Sequence, residues 1–259
     1  MFWDRQGGRN GIVMEEDFRG QLKALGLNEG DTVLVHSSMK ALGTKKTPEE
    51  FIKDILGVIG AEGTLLIPAL TYDNVNAGQP LFSVSATEPC IGLIPRTFFH
   101  MDDVVRSVHP THSVCAYGKY ASALTSMHYI DETPVGPNSP FRKLTDYNGK
   151  LLFIGDTVNC CTLMHGIEEI VNAPYVLQKR RTHYLIEEAG GAIIEKDLFA
   201  HDFTGWNQEY QKIKDILTYP HIRSGKVGKA DCYLLDAAAL VEKATAKFRE
   251  APYFFVSTL

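Results

Sequence analysis

Gly63-Thr-Leu-Leu-Ile-Pro68 is apolar along its length, and it reads as a strand covered on both faces. A strand of that kind belongs to a sheet sandwiched between helices, and the flanking sequence supplies them. Just before it, Thr47-Pro48-Glu-Glu50 is a helix start with proline in the first turn, leading to Phe51, Ile55 and Ile59 on one face. Earlier, Thr32-Val-Leu-Val-His36 follows the turn Asn28-Glu-Gly-Asp31 as a second β-rich run and ends in Ser37-Ser38. Residues 16–25 place Phe18, Leu22 and Leu25 at helical spacing and stop at Gly26. Further on, 113–118 and Lys150-Leu-Leu-Phe-Ile154 read as strands. The last third continues the alternation, with strands over 182–187 and 230–235 and helices over 207–217 and 237–248. The expected fold class is α/β, a single-domain sandwich with a central mixed, largely parallel sheet flanked by helices.

No repeat, low-complexity tract or Pro/Ser-rich linker divides the chain, so one domain is expected over 14–259. Residues 1–13, polar and glycine-rich, read as a flexible N-terminal arm, and Met14 with the acids after it reads as the start of structure. At 259 residues, 44% hydrophobic, the chain can bury a large core. It has no apolar run of membrane-spanning length and no secretory h-region. Five cysteines (Cys90, Cys115, Cys160, Cys161, Cys232) form an odd set without C-x-x-C spacing, which argues against a disulfide framework or zinc ribbon and for a reducing cytoplasm. The net charge is -5 and no Lys/Arg block exists, so neither nucleic acid nor membrane is an expected partner. A cationic small molecule is compatible with that balance. Two long connections, 71–89 and 132–148, show little periodicity and are expected to shape a cleft near the C-terminal ends of the strands.

Three clusters carry chemistry-bearing side chains. In Cys160-Cys-Thr-Leu-Met-His165-Gly-Ile-Glu168-Glu169, which follows a strand, Thr162, His165, Glu168 and Glu169 share one face if the segment is helical. A carboxylate beside the imidazole suits it to general-base work; ordinary polar helix positions are the competing reading, and spacing leaves open whether Glu168 or Glu169 faces the ring. Cys160 and Cys161 raise a nucleophile hypothesis, against which stands their reading as small apolar fillers. The second cluster is Arg106-Ser-Val-His109-Pro-Thr-His112-Ser113, a fork of donors suited to phosphate or carboxylate, or a capped turn. Its His109-x-x-His112 pair lacks a third ligand, so no metal is expected. The third is Val35-His36-Ser37-Ser38 with Gly43, a strand ending in paired hydroxyls. P-loop, dinucleotide and nucleophile-elbow glycine patterns are missing, which disfavours ATP, dinucleotide and serine-hydrolase chemistry.

In order, these segments resemble the aminoglycoside 3-N-acetyltransferase family, the antibiotic acetyltransferases without the GNAT fold. The likeness runs from about Met14 onward. It rests on His36-Ser-Ser38 with Gly43, Gly63-Thr-Leu-Leu-Ile-Pro68 leading into Thr71-Tyr-Asp73, and Gly92 with Pro95. To these are added Arg106-Ser-Val-His109-Pro-Thr-His-Ser113 with Gly118, Gly136-Pro-Asn-Ser139-Pro140, and Thr162-x-x-His165-x-x-Glu168. The resemblance implies an antibiotic N-acetyltransferase-like fold and transfer of an acetyl group from acetyl-CoA to a primary amine of an aminoglycoside, at the 3-N position, directly within a ternary complex. It makes His165 the general base and Glu168 its acidic partner. It puts His36, Ser37, Ser38, Arg106, Ser107 and Ser113 on the CoA side. Asp73, Glu169 and Asp202 are the acids expected to face the cationic amine.

The region 199–209 departs from the dense acidic stretch expected of aminoglycoside-modifying members, and its Trp206, with nearby Tyr210, reads equally as core. Two alternatives therefore stand beside the aminoglycoside reading. One is a CoA-dependent N-acyltransferase of natural-product or amino-sugar biosynthesis with a different amine. The other is a module that binds CoA or a cation without turnover. A homodimer is compatible with all three.

Overall fold

Local rules set the first helices. In the computed structural model, which describes residues 17–155 and 157–259, the Asp17 side chain accepts the Gly20 N–H at 2.7 Å, and Gly26 closes the helix at φ 113°. The arm expected at 1–13 and the start of structure expected at Met14 lie outside the described residues. Along the chain come α1 (Phe18–Leu25), β1 (Thr32–Ser37), α2 (Met39–Leu42), α3 (Pro48–Ile59), β2 (Thr64–Pro68) and β3 (Leu81–Ser83). Then follow α4 (Leu93–Phe99), β4 (Val105–Arg106), β5 (Val114–Gly118), α5 (Ala121–Thr125), α6 (Pro140–Lys143), β6 (Lys150–Ile154) and α7 (Thr162–Ile170). The last third holds β7 (Thr182–Glu187), β8 (Ile193–Leu198), β9 (Trp206–Gln208), α8 (Ile213–Ile216), β10 (Ile222–Val227), β11 (Ala230–Asp236), α9 (Ala237–Glu250) and β12 (Val256–Thr258). At α3, Thr47 and Glu50 close a capping box with Pro48 in the first turn.

The central sheet has seven strands in the order β10-β11-β6-β1-β2-β5-β4. β1 pairs in parallel with β2 and β6, and the other neighbours are antiparallel. β10, β6, β1, β2 and β4 consequently point one way, with β11 and β5 reversed; the sheet is mixed, with its parallel pairs at the centre. The all-buried pattern of β2 follows from a core on each face. Val33, Val35, Leu65, Ile67 and Ile154 pack with Phe18, Phe51, Ile55 and Phe98 of the helices on one side. Leu34, Leu66, Leu151 and Phe153 pack with Leu124, Leu163, Ile167 and Leu240 on the other. Strand alternation divides these residues between the two layers, as a period of two requires.

Two small sheets extend the C-terminal side, β3-β7-β8 and β12-β9. β3, inside the long connection 71–89, is three residues long and pairs in parallel with β7; three residues are too few to show a period. The helix expected over 207–217 is instead β9, a 3₁₀ turn at Tyr210–Lys212 and the single turn α8. There the main chain has better partners than its own next turn: β9 pairs with β12, and the Tyr210 N–H donates to the Asn159 side chain at 2.7 Å. Tyr210, Ile213 and Leu217 still share one core, which is why their spacing imitates a helix. Among the described residues no helix is long and apolar enough to cross a membrane.

Candidate active site

β1, β2 and β6 end together, and the chain that leaves them borders a cavity of about 740 Å³. Its wall includes His36 and Ser37 at the end of β1, Pro68 at the end of β2 with Leu70 beyond it, Thr157 and Asn159 after β6, and Thr162 and His165 of α7. Thr111 and His112 enter from the turn before β5, and His201, Phe203 and Tyr210 from the C-terminal third. This is the strand-end location at which open α/β sheets bind ligands.

His165 sits one turn into α7, its side chain 18% exposed, and Glu168 stands three residues on with a side chain at 0%. The Glu168 carboxylate has three partners: His165 Nδ1 at 3.2 Å, the Tyr210 hydroxyl at 2.8 Å and the Tyr175 hydroxyl at 3.2 Å. Tyr210 Oη is also 2.8 Å from His165 Nδ1. Burial, and then the negative charge of Glu168, push both phenols above their ordinary range, so they stay protonated donors. With both phenol protons directed to Glu168, His165 Nδ1 is left to carry its hydrogen toward that carboxylate and oxygen. The Nε2 lone pair is then the ring's free acceptor.

Glu169, adjacent in sequence, turns away from His165. Its side chain is 5% exposed and accepts from the Thr133 hydroxyl at 2.6 Å and the Val135 N–H at 2.9 Å; its Oε1 lies 2.8 Å from His201 Nε2. Burial raises the Glu169 carboxyl and holds the His201 imidazole well below its usual range, so His201 is neutral. The open choice between the two glutamates is thereby resolved by geometry: Glu168 contacts His165, and Glu169 belongs to a second pair.

The other expected site residues divide in two. His36 and Ser37 reach the wall, and His36 stacks on Phe153 with centroids 5.1 Å apart. Ser38 caps α2, its hydroxyl accepting the Ala41 N–H. Arg106 spends its donors inside: Nε on Ser113 Oγ, and its two end nitrogens on the carbonyls of Val84, Thr87 and Ala69, between the rings of Phe82 and Phe99. Burial lowers it to about 10. Ser113 donates to the Ala69 carbonyl, and Ser107 bonds His128 Nδ1 while accepting the Val114 N–H. None of Arg106, Ser107 and Ser113 lines the cavity. Asp73 and Asp202 are exposed and also off the wall. Among the described residues, the wall carries no Asp, Glu, Lys or Arg.

His109 and His112 turn their Nδ1 atoms onto their own turn. His109 Nδ1 accepts the N–H groups of Thr111 and His112, while His112 Nδ1 lies 2.8 Å from Thr111 Oγ1. Cys161 is buried, which pushes its thiol up to about 12, unsuited to a nucleophile; Cys160 is exposed and borders the cavity. Sequence reasoning missed Tyr175 and His201 as parts of the site; it weighed His112 only within a donor cluster or metal pair, and Tyr210 equally as core. Only the clustering of polar aromatic residues across distant segments would have revealed them, and that is a tertiary property.

The geometry has counterparts. A family model described as aminoglycoside 3-N-acetyltransferase matches residues 34–249. Aminoglycoside N(3)-acetyltransferase VII of Streptomyces paromomycinus is 29% identical, with 93% of each chain covered. Aminoglycoside N(3)-acetyltransferase IX of Micromonospora chalcea is 27% identical over 88% of this chain and 90% of that one. Among solved structures, aminoglycoside acetyltransferase AAC(3)-Xa is 30% identical and superposes with a TM-score of 0.76, covering 90% of this chain and 91% of that one.

Proposed function

This chain belongs to the aminoglycoside 3-N-acetyltransferase family, and we propose that it transfers the acetyl group of acetyl-CoA to a primary amine of an aminoglycoside, at the 3-N position. Transfer is direct, within a complex of both substrates, and is carried by one domain. The observation that carries this reading is the His165–Glu168 pair at the cavity wall, completed by two tyrosine hydroxyls.

Acetyl-CoA supplies the acyl group, activated as a thioester. The wall suits such a polar, extended partner: His36 Nε2, Ser37 Oγ and His201 Nδ1 are buried without a hydrogen-bond partner in residues that line the cavity. Buried polar atoms left unpaired cost ~1–3 kcal/mol each, so a ligand that pairs them binds the better for it. His36 and Ser37 would hold the thioester end, and Ser38, Arg106, Ser107 and Ser113 would shape the wall behind it. His165 Nε2 accepts a proton from the amine as its nitrogen attacks, and Glu168 stabilises the imidazolium that results. The Nδ1–H toward Glu168 keeps the ring in the tautomer this step needs. Held side by side, the reactants need no acyl-enzyme.

Acetyl-CoA and a panel of amines, with thiol release followed for wild type and His165→Ala, test the reading. Turnover with gentamicin- or kanamycin-type drugs, abolished in the variant, is the expected result. Release that survives the substitution removes His165 from the base role. One observation favours a second acceptor: among the described residues the wall carries no carboxylate, which suits an amine of lower charge than an aminoglycoside. Turnover with simple amines and none with the drugs would select it.

A further inference from the structure

The segment Arg106-Ser-Val-His109-Pro-Thr-His112-Ser113 is packed with donors, yet nearly all of them are spent on the protein itself. Ser107 holds His128 Nδ1 at 2.9 Å, and His128 stacks on His109 with ring centroids 5.0 Å apart. His109 Nδ1 receives two backbone N–H groups from its own turn. Arg106 and Ser113 fasten the other side of the turn to the Ala69 carbonyl. What this rigid turn delivers to the cavity is Thr111 and His112.

His112 has one defined tautomer in this setting. His109 Nδ1 is already occupied by two N–H donors and lies 3.5 Å from Thr111 Oγ1, whereas His112 Nδ1 is only 2.8 Å away. The threonine proton therefore goes to His112 Nδ1, and the His112 hydrogen sits on Nε2. Burial and the neighbouring histidines keep this ring neutral. Its centroid lies 6.3 Å from that of His165, with the planes at 80°. Both rings line the cavity, as does His201, whose centroid is 4.7 Å from that of His112 and 4.8 Å from that of His165.

We propose that His112 is a further catalytic residue, donating its Nε2–H to the carbonyl oxygen of the thioester as negative charge develops there. The proposal rests on the acyl-transfer reading. In the step, the amine nitrogen forms a bond to the acyl carbon and the carbon–sulfur bond breaks. One amine proton passes to His165 Nε2 and from there to the departing thiolate. His112 keeps its proton throughout. A neutral imidazole suits this duty because an imidazolium would draw charge from His165 and hinder its protonation.

Two measurements test the assignment on the full-length chain. The first is the ¹⁵N NMR spectrum of the His112 ring without substrates. Protonated Nε2 and bare Nδ1, unchanged between about pH 6 and 8, are expected; an Nδ1–H tautomer, or titration in that window, overturns the proposal. The second compares wild type, His112→Ala and His112→Gln by steady-state thiol release, with folding checked by thermal unfolding. Loss of one such donor lowers kcat by ~10²–10³-fold in other enzymes. A loss of that order is expected for His112→Ala, with the amine KM and the pH profile unmoved and with partial recovery in His112→Gln, which restores a donor. A kcat in His112→Ala within about threefold of wild type overturns the assignment, as does a displaced pH profile, which would make His112 an acid or base. If wild type turns over no amine, the acyl-transfer reading fails and this inference with it. If wild type turns over and the variant matches it, only the inference fails.

Discussion

Lowering the pH should unfold this protein through its histidines. Five imidazoles (His36, His109, His112, His128 and His201) are buried and held below 6.5, His36 and His128 at about 3 and the others well below the ordinary value. Burial is the first cause in every case. The unfolded chain releases these rings to water, where they bind protons below 6.5 while the folded state refuses them. Stability is therefore complete above that value and is lost as pH falls toward the folded-state pKa values. From about pH 7.5 to about pH 5.5, each such ring costs about 1.4 kcal/mol, or about 7 kcal/mol for five. Burial also raises the Glu169 and Asp131 carboxyls, so the folded state keeps those protons more readily and part of this loss is offset. A loss of up to about 7 kcal/mol is comparable with the whole stability of an ordinary domain, ~5–15 kcal/mol. Urea unfolding followed by tryptophan fluorescence at several pH values gives the slope directly. Uptake of about four protons on unfolding is expected near pH 5.5, and about one fewer in His128→Phe. A net uptake below about two protons would refute the reasoning, because the rings would then have to be charged or hydrated in the folded state.

Tyr210→Phe removes a hydroxyl from both Glu168 and His165; thermal and urea unfolding should show a loss of ~1.5–3 kcal/mol, and kcat should fall about tenfold. Arg106→Lys cannot reach the Ala69, Val84 and Thr87 carbonyls together. It should cost ~2–4 kcal/mol in urea while leaving the acetyl-CoA KM within about threefold of wild type, since the guanidinium is off the cavity wall. Thr47→Ala, which opens the capping box of α3, should cost ~1 kcal/mol in the same assay with thiol release unchanged.

What could be read in advance was local. The apolar strands β1, β2 and β6, the proline and capping residues of α3 and the glycine after α1 act within a few residues of themselves, and all stand where the sequence indicates. The i, i+3 contact between His165 and Glu168 is of the same kind. The misread stretch 207–217 shows the limit: its apolar spacing is helical, but β12 and Asn159 claim its main chain from about fifty residues away in either direction. The donors of Arg106, Ser107 and Ser113 were visible as residue types, whereas their partners Ala69, Val84, Thr87 and His128 lie in other segments. A cluster of donors in sequence thus looks the same whether it faces a ligand or holds a turn.

The arrangement around α7 shows how one helix register organises two imidazoles. Successive residues of an α-helix point about 100° apart, and here Glu168 and Glu169 serve different partners. Glu168 faces the buried tyrosines and His165; Glu169 faces Thr133, Val135 and His201. Gly166 lies between His165 and Glu168 on the chain, where an added Cβ would stand 2.7 Å from Val135 Cγ1 and 2.9 Å from Arg142 Cγ. That close approach lets the Val135 N–H reach Glu169, and Glu169 in turn holds the His201 ring with its centroid 4.8 Å from that of His165. The separation of the two rings at the cavity wall is therefore set by how closely α7 lies on the segment 133–142. The glycine in the Thr162-x-x-His165-Gly166-x-Glu168 stretch is the smallest part of that arrangement, and a side chain there would press α7 away from Val135 and Arg142.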